Sequence, residues 1–320
     1  MAKRRALIFG ISGQDGAYLA QWLLKKGYQV DGTSRDAATA DFGRLKSLGL
    51  GAQVRLHSVV LSDFRSVHEV LKATRPQEAY NLSGQSSVGL SFSQPMETFE
   101  SITLGGLNIL EALRLIKGRT RFYNASSGDC FGDTGGKKAD ESAAFRPHSP
   151  YGVAKAAAFW AVANYRQAYG LHASSGLLFN HESPLRPERF VTRKVVAAAA
   201  RIARGSREKL ALGDLSIRRD WGWAPDYVQA MWAMLQRPRG GDYVIATGRN
   251  HSLQEFVAAA FACFGLDWRA HVKIDRRFFR PDEIRSNCGN AGKARRDLGW
   301  KAALDMSGVV ERMAEAERLA

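Results

Sequence analysis

The chain has 320 residues, an ordinary globular composition and a formal net charge of +15. That length allows a core that needs no covalent staples, and no apolar run approaches the ~18 residues of a membrane span. The three cysteines (Cys130, Cys263, Cys288) show neither metal spacing nor a disulfide framework, so a reducing cytoplasm is predicted. The basic residues are scattered, as at Arg201, Arg204, Arg207 and Lys209 and again at Arg276, Arg277 and Arg280. Without a basic tail or an aromatic array they read first as a solvated surface, then as an attraction for anionic nucleotides, and least as a nucleic-acid interface.

RALIFGI (5–11) predicts a buried first strand. The preceding MAKRR carries a leader's charges, but the apolar stretch is too short and runs straight into a glycine turn. Helical periodicity over 17–26 ends at Gly27, and strands are predicted at 28–33 and 54–61. A helix over 64–74, a short strand at 78–81 and a long helix over 101–117 follow. The series closes with a strand at 121–125, a helix over 150–169 and a strand at 173–179. This alternation predicts an α/β fold with a doubly wound parallel, Rossmann-type sheet. Beyond Asn180 the regularity breaks, and HESPLRPERFVTRK reads as a charged loop. Helices at 194–205, 226–236, 252–264 and 309–319, with short strands at 210–212 and 243–246, predict a smaller α/β substrate-binding cap. The expected division is 1–180 with about 222–250 for the dinucleotide domain, and about 181–221 with 251–320 for the cap.

Gly10-x-x-Gly13-x-x-Gly16 lies between a predicted strand and a helix. A pyrophosphate needs a bare backbone at a helix N-terminus, so this turn predicts a bound dinucleotide. The residue that meets the adenosine ribose is expected to close the second strand, where the chain reads Ser34-Arg35-Asp36. Arg35 suits the 2′-phosphate of NADP and Asp36 the free hydroxyls of NAD; the reading leans to NADP with NAD open.

Tyr151 and Lys155 in SPYGVAK share one helix face. An ammonium beside a tyrosine lowers its pKa from about 10 and makes a phenolate available to take a hydroxyl proton while hydride leaves carbon. Gln85 and Ser86 follow a strand at the sheet's carboxyl edge, where ligands bind, and are candidate substrate contacts. His181 and Glu182 lack a third ligand at suitable spacing, so no metal is expected. Cys130 reads as a small buried hydrophobe, His148 as a loop residue, and Trp221 and Trp223 as packing.

GISGQDGAYLA (10–20), SPYGVAK (149–155), FNHESP (179–184), FVTRK (190–194), RRDWG (218–222) and FFRPDE (278–283) together resemble the GDP-mannose 4,6-dehydratase family of extended short-chain dehydrogenase/reductases. The resemblance runs nearly end to end. It implies catalysis by Ser127, Asp129, Tyr151 and Lys155. It implies cofactor contacts at Gly10, Gly13, Gln14, Asp15, Gly16, Arg35, Leu61, Tyr151 and Lys155. For a guanosine diphosphate sugar it implies Asn180, Lys194, Arg219, Arg280 and Glu283, besides the candidates Gln85 and Ser86. A homodimer or homotetramer is implied as well.

The chain departs from that family at the strand end. The family reads Ser-Thr-Ser-Glu where this chain has Ser126-Ser127-Gly128-Asp129. Ser127 keeps a hydroxyl. Gly128 loses one, and its small size predicts room for a substrate extended at C6. Asp129 is the same acid, shorter by about 1.5 Å. Val60 stands where related enzymes carry an aspartate for the adenine amino group, and Pro187-Glu188-Arg189 departs in a loop that touches a neighbouring subunit in tetrameric relatives. The predicted activity is a GDP-sugar 4,6-dehydratase acting on GDP-mannose or a related manno-configured GDP-sugar such as a heptose. The alternative is a GDP-sugar 4-oxidoreductase or epimerase without elimination.

Overall fold

A computed structural model describes residues 3–319. Strands β1 (Arg5–Phe9), β2 (Gln29–Ser34), β3 (Val54–Ser58), β4 (Glu78–Asn81), β5 (Arg121–Ser127) and β6 (Ala173–Leu178) join the strand Asp242–Ile245 in one seven-stranded sheet. The order is Asp242–Ile245, β6, β5, β4, β1, β2, β3, with every pair parallel. This is the doubly wound, Rossmann-type sheet that the alternation predicts. Parallel strands buried on both faces need apolar side chains on both, and β1 supplies Ala6 and Ile8 to one core and Leu7 and Phe9 to the other.

Helices Gln14–Lys25 and Ala224–Gln236 cover the first face, packing Leu19, Leu23, Met231 and Met234 on the sheet. Helices Phe64–Thr74, Gly105–Ile116 and Pro150–Tyr169 cover the second through Val67, Leu71, Ile109, Leu113 and Val162. A separate core joins helices Val191–Ala203, Leu253–Ala262 and Met306–Arg318 around Val195, Phe256, Phe261, Val309 and Met313. The segment around Gly292–Leu298 does not go with that core. Ala294 and Trp300 pack into the sheet's first face, and the Trp300 indole N–H donates to the Asp226 carbonyl at 2.8 Å.

Two local differences from the sequence reading have physical causes. The helix expected over 101–117 begins as a π-helical turn, Glu100–Leu104, before Gly105–Ile116 continues as α-helix. Here the Thr103 hydroxyl donates to the Ala154 carbonyl at 3.0 Å, and Gly105 passes closely over Leu61. The stretch after Phe179, read as loop, forms the short strand Asn180–Glu182, paired in parallel with Trp221–Trp223. Three residues are too few for a period to show, and the pairing is non-local.

The strand order reverses between β1 and β4, and the turn after β1 is pressed against the loop after β4. Gly10 has φ +82°, and a Cβ there would lie 2.9 Å from the backbone of Leu82 and Ser83. A Cβ on Gly16 would overlap the Gly10 carbonyl oxygen. The turn is tied onward to the residues after β6. Gln14 donates to the His181 carbonyl at 3.2 Å and accepts from the Ser183 hydroxyl at 2.7 Å. Asp15 Oδ2 lies 2.8 Å from His181 Nε2, while His181 Nδ1 lies 2.7 Å from the Phe179 carbonyl oxygen. Both partners are acceptors, so the doubly protonated imidazolium satisfies both. Burial disfavours that charge, but the Asp15 carboxylate outweighs it and raises the His181 pKa above 6.5. Burial also pushes Asp15 up; His181 and Gln14 outweigh it and hold the carboxyl below 3.8.

Two predictions follow from these contacts. Gly10→Ala should cost about 1–2 kcal/mol from the left-handed backbone alone, plus the overlap. Gly27→Ala, at φ +82° with nothing within 4 Å, pays the first cost only. Equal losses in denaturant unfolding would show that the turn is not crowded. For the ion pair, the His181 share of stability is complete below pH 6.5 and lost as pH rises through the raised value. The Asp15 share is complete above pH 3.8 and lost as pH falls through the depressed value. The melting-temperature gap between the wild type and Asp15→Asn should therefore be widest between pH 3.8 and 6.5 and shrink on the alkaline side. Its size there should correspond to about 3 kcal/mol; a pH-independent gap would rule the ion pair out.

Candidate active site

Helix Gln14–Lys25 starts at Gly13, and no side chain caps its first turn. Its N–H groups are thus left for a ligand, and Gly13 presents no Cβ to obstruct one. The glycine turn and the open helix end fit a dinucleotide pyrophosphate. Gln14, expected to touch the cofactor, instead spends its amide on His181 and Ser183; its role is to hold the turn. Arg35 follows the last residue of β2 with its side chain 86% exposed and Glu97 at 3.8 Å. The Asp36 carboxylate folds back on its own loop, accepting from the backbone N–H groups of Ala38 and Thr39 at 2.9 and 3.1 Å and from the Thr39 hydroxyl. Leu61, just beyond β3, accepts from the Asn108 amide at 2.7 Å through its carbonyl and packs its side chain on the sheet's second core. Val60 beside it is exposed.

A cavity of about 520 Å³ lies where the carboxyl edge of the sheet meets the cap. Ser127, Gly128, Asp129, Tyr151 and Lys155 line it from the sheet side, and Asn180, Lys194, Arg280 and Glu283 from the cap side. Ser127 ends β5 and accepts from the Asp129 backbone N–H at 3.1 Å, which starts the tight turn Gly128–Phe131 that carries Asp129. Ser149 caps helix Pro150–Tyr169 by accepting from the Gly152 N–H at 3.1 Å. Pro150 at the helix start puts Tyr151 in the first turn and Lys155 one turn on.

The expectation of a ready phenolate is corrected here. Burial raises the Tyr151 pKa, the Asp129 carboxylate raises it further, and a hydrogen bond with Ser127 opposes them. Lys155 Nζ donates to the Ala125 carbonyl at 2.8 Å and stands 5.8 Å from the Tyr151 ring centroid. Burial pushes the Lys155 ammonium down to about 8. In the chain alone Tyr151 is therefore a neutral phenol.

Three further expectations are corrected by contacts that spacing does not reveal. The Gln85 side chain turns into its own loop, donating to the Ser87 carbonyl at 2.8 Å and to the Thr98 hydroxyl at 3.2 Å. Ser86 lines the cavity; Gln85 does not. The space beside Gly128 is filled: a Cβ there would meet the Phe179 ring at 3.0–3.1 Å, and that ring stacks on Phe131. Gly128 therefore makes no room for a larger sugar. Arg219 is buried behind the cavity wall, donating to Glu283 at 2.8 Å and to the Arg218 carbonyl at 2.9 Å. Arg280 donates to the same Glu283 oxygen at 3.1 Å, so one carboxylate bridges two guanidiniums at the cavity. Burial works against the Arg219 charge, and Asp129 is the foremost group supporting it. Lys194 donates to the Ala211 carbonyl at 2.8 Å and sits over the Phe278 ring.

Sequence reasoning missed Phe179 and Asn287, which shape the turn around Asp129, and the structural use of His181. A buried amide anchoring a distant turn leaves no local pattern. His181 did stand out beside Glu182. The Glu182 carboxylate accepts from the Thr192 hydroxyl at 2.6 Å and lies 3.3 Å from Arg186, and no metal-holding cluster occurs among the described residues. Nor is any helix among them long and apolar enough to cross a membrane.

The family model described as GDP-mannose 4,6 dehydratase matches residues 7–313. GDP-mannose 4,6 dehydratase 1 of Arabidopsis thaliana is 43% identical over 325 residues, covering 98% of this chain and 90% of that protein. The human GDP-mannose 4,6 dehydratase is 39% identical over 337 residues, covering 98% and 91%. Among solved structures, a UDP-glucose 4-epimerase of Thermus thermophilus in complex with NAD superposes with a TM-score of 0.86 at 26% identity, covering 99% of each chain. With a family model matching residues 7–313 and relatives matched over 98% of its length, the chain belongs to the GDP-mannose 4,6-dehydratase family.

Proposed function

We propose that this protein is a GDP-sugar 4,6-dehydratase that converts GDP-mannose, or a closely related manno-configured GDP-sugar, to its 4-keto-6-deoxy product. The observation that carries the reading is one cavity holding both a Ser127/Tyr151/Lys155 group and an independent carboxylate, Asp129. The first group suffices for oxidation at C4. The second is what elimination of water across C5 and C6 requires. Arg280 and Lys194 at the cavity surface support diphosphate binding, since a guanidinium fork holds phosphate at two points.

The Gly10–Gly16 turn would hold the cofactor pyrophosphate, and Arg35 the adenosine end. NADP, when bound, supplies a hydride acceptor for C4–H, a cationic ring that lowers the Tyr151 phenol, and the hydride that returns to C6. The residues do the rest. Ser127 and Tyr151 hydrogen-bond the C4 hydroxyl, and Tyr151 takes its proton as the ketone forms. Lys155, fixed on the Ala125 carbonyl, holds positive charge beneath that oxygen. Once C4 is a ketone, C5–H is acidic, and Asp129 removes that proton. The C6–O bond breaks, and the hydroxide leaves as water with a proton delivered through Asp129. A proton supplied to C5 from solvent, matched by release of the one Tyr151 took from the C4 hydroxyl, completes the product and restores both bases. The sheet edge and the cap keep bulk water from the intermediate.

Arg35 favours NADP, because its guanidinium is almost unpartnered whereas Asp36 is spent on Ala38 and Thr39. Arg35→Ala should raise KM for NADP by about tenfold, the worth of one charge-assisted phosphate contact, and leave KM for NAD nearly unchanged. Equal effects on both would remove Arg35 from cofactor selection.

The activity itself is tested by product mass after incubation with GDP-mannose and with a GDP-manno-heptose. Loss of one water is expected, with GDP-mannose the better substrate because Phe179 fills the space beside Gly128. Asp129→Asn should cut dehydration by about 10²–10⁴-fold and spare C4 oxidation. If the wild type yields only the C4-oxidised sugar, the protein is a 4-oxidoreductase on the same scaffold.

A further inference from the structure

The two-residue strand Ser286–Asn287 runs parallel to Arg218–Arg219, with Asn287 opposite Arg219. Asn287 is buried, and its amide crosses to the turn that carries Asp129. Nδ2 donates to the Gly128 carbonyl at 3.1 Å and to the Gly132 carbonyl at 2.8 Å. Those two carbonyls bracket Asp129. The neighbouring residues reinforce the tie: the Thr134 N–H donates to the Ser286 carbonyl at 2.8 Å, and the Arg285 N–H to Asp133 Oδ2 at 2.9 Å. Gly132 has φ +68°, and a Cβ there would overlap the Arg146 carbonyl oxygen, so the turn is closed off on its other side. The same segment begins with Glu283, which bridges Arg219 and Arg280.

We infer that Asn287 is a positioning residue for elimination: it fixes the 128–132 turn and thereby the reach of the Asp129 carboxylate to the sugar C5. The inference rests on the dehydratase reading above. An aspartate has no spare length, and misplacing a base by about 1 Å costs on the order of 100-fold, so the backbone that carries it must be set from outside the turn. Asn287 does this with one nitrogen and two carbonyls. Tyr151 and Lys155 stand on a different element, helix Pro150–Tyr169, which Asn287 does not touch through any hydrogen bond. Ser127 shares the Asp129 turn, but the C4 base Tyr151 and its lysine stand on the helix, so proton removal at C5 depends on the Asn287 anchor more than oxidation at C4 does. Because Asn287 and Glu283 lie on one short segment, engagement of a diphosphate by Arg280 and placement of Asp129 are mechanically joined.

The experiment compares two steps in Asn287→Leu, which keeps the volume and removes the donors. Hydride transfer from C4 is read in a single turnover by the absorbance of reduced nicotinamide. Proton removal is read by deuterium incorporation at C5 in heavy water and by water loss in the product. The variant should slow C5 exchange and water loss by about 10–100-fold, while hydride transfer and KM for the GDP-sugar change less than about threefold. Adding Asp129→Glu to Asn287→Leu should recover at least a tenfold share, because a longer acid tolerates a receding turn. If the leucine variant does not fold, Asn287→Ala is read by the same ratio. Equal loss in both steps, no loss in either, or no recovery with the longer acid overturns the inference and leaves Asn287 a packing residue. Wild-type protein that never releases water removes the dehydratase reading, and this inference with it, before any variant is compared.

Discussion

The interaction on which the rest of the structure depends is the buried pair of Asp15 and His181. His181 is held between the Asp15 carboxylate and the Phe179 carbonyl and stacks on Tyr227, with ring centroids 4.6 Å apart. Asp15 belongs to the first turn of the helix after β1, and His181 to the chain just after β6. The pair therefore fixes the pyrophosphate cradle against the point where the cap begins. The next links are short. The strand containing His181 pairs with Trp221–Trp223, and Asp220 accepts from the Thr247 and Gly248 backbone N–H groups at 2.8 Å each. Each link is a buried polar group with its partners present, the condition under which such groups specify geometry instead of costing stability.

The reactive residues sit in a balance set by burial. Burial shifts both the ammonium and the phenol toward their neutral forms, and the chain alone leaves Tyr151 protonated and Lys155, at about 8, a stronger acid than a free lysine. The Asp129 charge pushes Tyr151 further in that direction. Arg219 sits behind the wall, where Asp129 is the foremost group supporting its charge, with no place at the cavity surface. Its burial is tolerated because Glu283 and the Arg218 carbonyl receive its donors.

The turn after β5 carries Asp129, and its packing explains how it holds shape. Gly128 has no side chain, and the Phe179 ring occupies that side of the turn. Phe179 in turn stacks on Phe131, and Phe131 meets Phe145 edge to face. The apolar side of the turn is thus closed by three rings, and the polar side by the Asn287 amide.

The parallel, doubly wound sheet and the nucleotide turn were legible in the sequence because each rests on local pattern. Strands buried on both faces read as apolar runs, and the helix Phe64–Thr74 and strand Glu78–Asn81 fall where periodicity puts them. A glycine that must take φ +82° announces itself, as Gly10 does. Tyr151 and Lys155 stood out by their helical spacing and Ser127 and Asp129 by family resemblance, and all four line one cavity wall. What the sequence could not determine was how side chains are spent. Gln85 was lost to its own loop, Gln14 to His181 and Ser183, and Arg219 to Glu283, while Asn287 gained a role that no spacing foretold. Only the tertiary structure decided these: Gln14 and Asn287 bond residues more than a hundred positions away, Glu283 lies 64 positions from Arg219, and even the Gln85 loop is closed by packing around it. Residue type and local period carry no record of that packing.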